Sequence, residues 1–353
     1  MGDRVRAAVL GASGLVGQVF LRLLEGHPYF EVAAVASSPG KAGLEAVEAI
    51  DWILPGGPPG YLEGMSMSRP EPGALRREGV ELVFSALPSQ AAAELEPALA
   101  REGLEVFSNS SNMRLYPDVP LVNGEVNPGH LALAEAQGER GWRGVVVKNP
   151  NCTTAILTLA LKPIMDAAGL REVHVATMQA ISGAGRRGVP GYGIVDNIVP
   201  HIPGEEGKVE AESRKILGSL RGGRLEPAGF SVAATTTRVP VLEGHLEVVY
   251  LKTRRHLGAE EAVEVLESFR GIPQELGLPT APTRPVRVLR REDRPQPRLD
   301  RMAGGGMTVS VGRVEEKEGG WLRMVVLGHN LVRGAAGAAL LAAELWLRRG
   351  EWM

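Results

Sequence analysis

Val5-Arg6-Ala7-Ala8-Val9-Leu10-Gly11-Ala12-Ser13-Gly14-Leu15-Val16-Gly17 is the stretch that decides the fold. The apolar run Val5–Leu10 reads as a strand, and it enters a turn with glycine at every third position: Gly11, Gly14 and Gly17. Gln18–Glu25 continues as a helix ending near Gly26, and Glu31–Ala36 is a second strand. This strand–turn–helix–strand order is the setting that a dinucleotide turn requires. Glycine lets the backbone approach a pyrophosphate and lets the helix lie close to the strand. Ser13 adds a hydroxyl donor at a helix N-terminus, where first-turn amides favour an anion. No Gly-Lys-Ser/Thr follows, so a mononucleotide P-loop is excluded. Taken alone, the glycines also suit a purely structural turn. NAD sites place an acid at the end of the second strand for the ribose hydroxyl. Here Ala36-Ser37-Ser38-Pro39-Gly40-Lys41 offers none. The hydroxyls of Ser37 and Ser38 and the Lys41 ammonium suit a 2′-phosphate, so NADP is expected rather than NAD. A plain solvated loop is the alternative there.

The same alternation continues outward. Glu81–Phe84 reads as strand, Gln90–Arg101 as helix, Leu104–Phe107 as strand and the β-branched run at Val145–Val147 as strand. Strands alternating with helices imply an α/β, Rossmann-like, doubly wound parallel sheet. Asp51–Pro72, rich in Gly and Pro, reads as irregular. Beyond residue 150 the texture changes. Glu172–Gln179, Phe230–Arg238 and Leu246–Lys252 read as longer strands, with a helix at Glu260–Ser268 before the proline-rich stretch Pro273–Pro297. Met307–Arg313 and Trp321–Leu327 read as two strands joined by Glu315–Gly320. This half is expected to be α+β on a mainly antiparallel sheet. Gly334–Arg349 is an apolar helix expected to pack back on the first domain. The expected division is residues 1–150 as a dinucleotide-binding domain, completed by the C-terminal helix 334–353, and residues 151–333 as a catalytic and dimerisation domain.

At 353 residues the chain exceeds a usual single core. It is 44% hydrophobic and 23% charged, so it can bury a core. A net charge of −2 gives no support to nucleic-acid binding. One cysteine excludes an intrachain disulfide framework and a cysteine-rich zinc site, and no metal ligand set is expected. That suits a reducing, cytoplasmic setting. No apolar run reaches transmembrane length, so no membrane partner is expected. Met1-Gly2-Asp3-Arg4-Val5-Arg6 shows no signal-peptide pattern. Arginine far outnumbers lysine, which fits either a GC-rich genome or a hot habitat.

The one cysteine lies in Lys148-Asn149-Pro150-Asn151-Cys152-Thr153-Thr154. Asn-Pro-Asn reads as a turn and Thr153–Ala168 as an apolar helix. Cys152 therefore stands near a helix N-terminus, where a thiol loses its proton more easily. A small buried apolar filler is the competing reading. Downstream, Gln179 ends a strand before Ser182-Gly183-Ala184-Gly185. Glu205 and Lys208, three apart, share a helix face. Arg238 and His245 frame Val239-Pro240-Val241-Leu242-Glu243-Gly244. Singly, each fits a surface pair or a turn; His174 is assigned to structure. Together their types match one chemistry: a thiolate attacks an acyl carbon, an imidazole with a pKa near neutrality moves the proton, and arginine forks a carboxylate.

On these residues the chain resembles the aspartate-β-semialdehyde dehydrogenases, in particular their archaeal and fungal branch. The resemblance runs nearly end to end. It takes in Gly11–Gly17, Ser108-Asn109 with Arg114, Asn149–Thr154, Gln179–Gly185, Gly204-Glu205-Glu206 with Lys208, Arg238–Val241 with His245, Arg294–Arg298 and Leu327–Gly337. It implies that Cys152 is the nucleophile, His245 the general acid/base and Gln179 the residue orienting the acyl intermediate. It implies that Arg238 binds the substrate α-carboxylate and Glu205 its amino group, and that Arg114, Asn151 and Lys208 form a phosphate site. It adds Leu15, Val16, Ser85, Ser182, Gly183 and Asn330 to the NADP contacts. The implied reaction is NADPH-dependent reduction of L-aspartyl-4-phosphate to L-aspartate 4-semialdehyde, a precursor of lysine, threonine and methionine, in a homodimer or homotetramer. Arg186-Arg187 stands where the resemblance leads one to expect a smaller or aromatic residue. Three rivals are a malonyl-CoA reductase of the same fold, a nucleotide-binding regulator without catalysis, and a cysteine hydrolase that leaves the glycine turn unexplained. N-acetylglutamyl-phosphate reductases share the chemistry but fit the Arg238–His245 order less well.

Overall fold

The computed structural model describes residues 4–353; the first three residues of the N-terminal segment lie outside it. The chain forms two compact units. Met1–Val122, Gly129–Asn149 and Ala339–Met353 make the first, and Asn123–Pro128 with Pro150–Ala338 the second. The division differs from the sequence reading at Asn123–Pro128, at Pro150 and at Gly334–Ala338, all of which fall in the second unit. Two side chains hold Asn123–Pro128 there. Arg333 donates to both oxygens of Glu125 at 2.7 Å in a fully buried pair, and Asn123 donates to Ala155 O at 2.9 Å and Thr158 Oγ1 at 3.0 Å.

In the first unit, β1 (Val5–Leu10), β2 (Phe30–Ala36), β3 (Leu82–Ser85), β4 (Glu105–Ser108) and β5 (Val146–Lys148) form a wholly parallel sheet in the order β2-β1-β3-β4-β5. Strands buried on both faces need continuous apolar runs, and Ala7–Leu10 and Leu82–Phe84 are fully buried. Helix α1 (Leu15–Leu23) follows β1. It starts three residues before the predicted Gln18, because Gly14, in extended conformation, serves as its N-cap inside the glycine run. A Cβ on Gly17 would stand 2.2 Å from Gly11 O, so the helix meets the strand this closely only without a side chain. Strand order reverses between β1 and β3, so the glycine turn opens at the topological switch point, where open α/β sheets bind ligands.

Helix α2 (Ser89–Arg101) sends Glu96 to the carboxyl ends of β3, β4 and β5. There Glu96 pairs with Lys148, both fully buried. It also accepts from Ser85 at 2.8 Å, Ser108 at 2.5 Å and Ser110 at 3.1 Å, and Lys148 donates to Ser110 Oγ at 2.7 Å. Burial pulls the Lys148 ammonium down to about 8 although Glu96 opposes the shift. Every polar atom of such a cluster needs a partner, and the three serines supply them.

In the second unit, helix α3 (Cys152–Ala168) leads into β6 (Leu170–Gln179), α4 (Glu205–Ile216), β7 (Ser231–Arg238), β8 (His245–Thr253), α5 (Ala259–Ser268), β9 (Val286–Leu289), β10 (Val309–Lys317) and β11 (Trp321–Gly328). The six strands lie in the order β9-β10-β11-β8-β6-β7. β10–β11, β11–β8 and β8–β6 are antiparallel, whereas β9–β10 and β6–β7 are parallel, so the sheet is mixed. β9 lies inside the stretch read only as proline-rich; an edge strand tolerates the flanking proline Pro285. One face is covered by α3, α4 and α5. Alternation places His245, Glu247, Val249 and Leu251 of β8 on that buried face. The C-terminal segment begins with a π-turn, Val332–Ala336, before α6 (Gly337–Leu347). The helix proper thus starts later than the predicted Gly334.

Candidate active site

Three strand ends of the second unit lie side by side. Gln179 closes β6, Arg238 closes β7 in register with Gln179, and His245 opens β8. Cys152 is the first residue of α3, and its Sγ stands 3.2 Å from His245 Nε2. The helix starts there because Asn151 caps it: its Oδ1 accepts from Thr153 N at 3.0 Å and Thr154 N at 3.2 Å. Such a cap contributes about 1 kcal/mol. Asn151 is held in turn by two acids of α4. Its N–H donates to Glu212 Oε2 at 2.6 Å and its Nδ2 to Glu205 Oε1 at 2.7 Å. Glu205 also faces Lys208, Nζ to Oε2 3.5 Å, with Glu205 buried and Lys208 half-exposed.

The Ala180 peptide decides what His245 can do. Its N–H donates to His245 Nδ1 at 3.1 Å, and its carbonyl accepts from Arg238 Nη1 at 2.8 Å. Nδ1 is therefore an acceptor, and a neutral ring carries its proton on Nε2, facing the sulfur. Burial, then Arg238 and then His329, push the imidazole down to about 3. The sequence reading expects a ring titrating near neutrality; burial and the neighbouring Arg238 and His329 all act to lower it. Burial also lowers the Arg238 guanidinium, while Cys152 and Glu205 oppose the shift.

Two glycines make the site compact. A Cβ on Gly183 would stand 2.8 Å from Arg238 Nη1 and 3.1 Å from His245 Cε1. A Cβ on Gly334 would stand 2.7 Å from Cys152 Cβ. Asn330 ties the surrounding turns, donating to Ser182 Oγ at 2.9 Å and accepting from Gly244 N at 2.8 Å.

The first unit carries the glycine turn. Gly11 has φ +78°, and a Cβ there would stand 2.5 Å from Ala86 O. The first-turn amides of Leu15 and Val16 have no acceptor within their own helix. Lys41 Nζ donates to Ser13 Oγ at 3.1 Å, which puts a cation beside the turn. Ser37 is half-buried and Ser38 exposed. A bare glycine cradle, a helix N-terminus, an adjacent ammonium and no acid after β2 fit a phosphorylated dinucleotide.

Residues 6–134 match the family profile described as semialdehyde dehydrogenase, NAD binding domain, and residues 161–333 the one described as semialdehyde dehydrogenase, dimerisation domain. The chain is 47% identical to an aspartate-semialdehyde dehydrogenase of Archaeoglobus fulgidus, over 98% of each chain. It belongs to the semialdehyde dehydrogenase family. A malonyl CoA reductase (NADP) of Metallosphaera sedula is 37% identical over 98% of each chain. Among solved structures, aspartate semialdehyde dehydrogenase with NADP from Candida albicans superposes with a TM-score of 0.90 at 37% identity, covering 98% of this chain and 99% of that one.

Of the residues singled out in the sequence, Cys152, His245, Gln179, Arg238, Glu205, Lys208 and Asn151 all belong to the second unit. Arg114 belongs to the first, where it donates to Asn109 O at 2.8 Å. Gly11, Ser13, Gly14, Leu15, Val16, Ser37, Ser38, Lys41 and Ser85 lie in the first unit, and Ser182, Gly183 and Asn330 in the second. Ser85 departs from the expected role: it is fully buried and its hydroxyl is engaged by Glu96. The structure adds Glu212, the Ala180 peptide and Gly334. Glu212 was findable as a second acid on the face of α4 that carries Glu205; the peptide left no signal in the sequence.

Proposed function

We propose that this chain is an NADP-dependent aspartate-semialdehyde dehydrogenase. It reduces L-aspartyl-4-phosphate with NADPH to L-aspartate 4-semialdehyde and phosphate, in the biosynthesis of lysine, threonine and methionine. The observation that carries the reading is the Cys152–His245 pair at a capped helix start, flanked by Arg238 and Glu205. NADPH supplies the hydride.

Cys152 attacks the acyl carbon as the thiolate, the C–O bond to phosphate breaks, and a thioester forms. Hydride addition gives a thiohemiacetal oxyanion, which collapses to the aldehyde and returns the thiolate. The net reaction consumes one proton, and it ends on the departing phosphate. His245 therefore neither gives nor takes a proton permanently. Its Nε2–H donates a hydrogen bond to the thiolate and then to the oxyanion, as a neutral electrophile. Arg238 forks the substrate α-carboxylate, Glu205 receives its ammonium, and Gln179 orients the acyl group. Lys208 and Asn151 receive the phosphate.

The uncovered face of the second unit's sheet carries Met178, Leu246, Val248, Tyr250 and Val325, all half-buried or exposed. A second copy of the chain would cover this apolar surface, so the protein is a homodimer, or a homotetramer built from two such dimers. No helix among the described residues is long and apolar enough to cross a membrane. The proposed location is the cytoplasm.

Purified protein given aspartate semialdehyde, phosphate and NADP is expected to form NADPH, and much less with NAD. Turnover of malonyl-CoA with NADPH, and none of the aspartyl compounds, overturns the assignment.

A further inference from the structure

The second unit's sheet holds two polar rows on its buried face. The first is His245, Gln179 and Arg238. The second, one pleat further in, is Glu247 opposite Thr177 and Thr177 opposite Thr236. All three residues of the second row are fully buried. The third row is the ordinary interior of a sheet: Val249 opposite Val175, and Val175 opposite Ala234. A polar second row is costly, since buried polar groups without partners weaken the fold. Its costliest member is Glu247, whose two carboxyl oxygens make no hydrogen bond to any described protein atom. Thr236 Oγ1 is in the same condition. Burial raises the Glu247 carboxyl well above the usual carboxylate range, and no neighbouring cation opposes it. A carboxyl that takes up its proton is both donor and acceptor.

The second row touches the first at one point. Gln179 Nε2 donates to Thr177 Oγ1 at 3.3 Å. Thr177 receives that bond and still has a hydroxyl proton to place. Side chains directly opposed in an antiparallel pair have Cβ atoms about 4.5–5.5 Å apart, so the Glu247 carboxyl is the neighbouring acceptor. Buried water is held by two to four polar partners; Glu247, Thr177 and Thr236, opposite one another in the sheet, are three such groups.

We propose that Glu247 is a positioning residue for Gln179: through a bridging water it holds the Thr177 hydroxyl, and Thr177 holds the Gln179 amide. The inference rests on the reading above that Gln179 orients the acyl group, and it adds a residue behind that one. Glu247 lies one pleat behind the row it serves.

Substitution separates this role from mere filling. Glu247→Leu is expected to lower kcat about tenfold, with KM for the semialdehyde within about twofold and a thermal midpoint no lower than wild type. Glu247→Gln, which keeps both donor and acceptor, is expected to restore most of kcat. Thr177→Val is expected to repeat the loss, and the double variant Glu247→Leu/Thr177→Val to be no worse than either single one. Wild-type kcat in Glu247→Leu, equal losses in Glu247→Gln and Glu247→Leu, or additive losses in the double variant would each overturn the inference. Should Glu247→Leu fail to fold, Thr177→Val alone decides: wild-type kcat there overturns the chain of bonds. If the wild-type protein turns over none of the acyl substrates, the proposed reaction fails instead. Glu247 is then judged by the side-chain amide resonances of Gln179: a shift in Glu247→Leu that Glu247→Gln reverses supports the inference, and unchanged resonances overturn it.

Discussion

In the five-stranded sheet the ligand cradle is made of backbone. Gly11 and Gly14, the first-turn amides of α1 and the close approach of Gly17 to Gly11 O leave side chains a minor part, with Lys41 and Ser13 at the margin. In the six-stranded sheet the reverse holds. Cys152, His245, Gln179, Arg238 and Glu205 project from strand ends and helix starts, and the backbone acts chiefly through one peptide, Ala180. A parallel sheet with helices on both faces presents helix N-termini at its carboxyl edge, so binding a phosphate there takes little more than removing Cβ atoms. A mixed sheet has no such uniform edge, and its chemistry has to be carried by side chains held in register.

The sharpest way to break this contrast is to remove the sulfur. Cys152→Ala is expected to reduce turnover by about 10⁴-fold or more, because no other group can form the thioester. NADP affinity, measured by titration, is expected to stay within about twofold, since the cradle lies in the other unit. Loss of NADP binding in this variant would mean that the two units do not divide the work in this way.

Adding a single methyl group tests each material in turn. Gly11→Ala puts a Cβ 2.5 Å from Ala86 O at φ +78°, so NADP affinity is expected to fall at least about tenfold. Alkylation of Cys152, the one cysteine, is expected to proceed at the wild-type rate in the same protein. Gly183→Ala puts its Cβ 2.8 Å from Arg238 Nη1, so it is expected to raise KM for the semialdehyde about tenfold and to weaken NADP less than Gly11→Ala does. If both variants lost the same function, the contrast would collapse.

The two materials also differ in how far they show in the sequence. The glycine spacing, the apolar runs and the alternation of strand and helix are periodic, and they placed β1 to the residue and the cysteine helix to within one residue. Residue types in structured contexts singled out Cys152, His245, Arg238 and Glu205 as a set, and the family resemblance supplied the role of each. The state of His245 was not legible. Its proton position follows from an N–H of Ala180, and its low pKa from burial, both products of tertiary packing. Glu247 left a trace, because it has the parity of His245 on an alternating strand and so had to point inward. The two-row arrangement needs three strands in register, and strand pairing is not written in any one segment. Asn123–Pro128 was assigned to the wrong unit because the ion pair that holds it joins residues far apart in sequence.

The state of His245 sets a pH test. A ring with a pKa of about 3 in the folded protein is neutral throughout ordinary assay conditions. The profile of kcat/KM is therefore expected to show no limb near 6.5, the value of a free histidine. An acid limb at that value, absent in His245→Asn, would return the imidazole to the role of general base. Stability carries the same signature. The unfolded ring binds a proton below about pH 6.5 and the folded one does not, so this residue's contribution is complete above that pH and is lost as the pH falls towards about 3. Glu247 acts with the opposite sign. Its folded carboxyl keeps a proton that the unfolded chain loses above about pH 4.3, so its contribution declines as the pH rises. Denaturant midpoints of His245→Asn and Glu247→Gln across pH separate the two.

The smallest expected effect lies where the backbone cradle borrows a side chain. Lys41 donates to Ser13 Oγ at 3.1 Å and to Ala49 O at 2.6 Å, so its ammonium is fixed beside the turn. A 2′-phosphate on the ribose gains from that charge, whereas a bare hydroxyl gains little. Lys41→Ala is therefore expected to weaken NADP by about tenfold and NAD hardly at all, in keeping with about 1–2 kcal/mol for a partly exposed charge-assisted contact. Equal weakening of both cofactors would show that Lys41 braces the turn through Ser13 and Ala49 and does not read the phosphate. The cradle would then be a purely backbone device, and preference for NADP would rest on Ser37 and Ser38 alone.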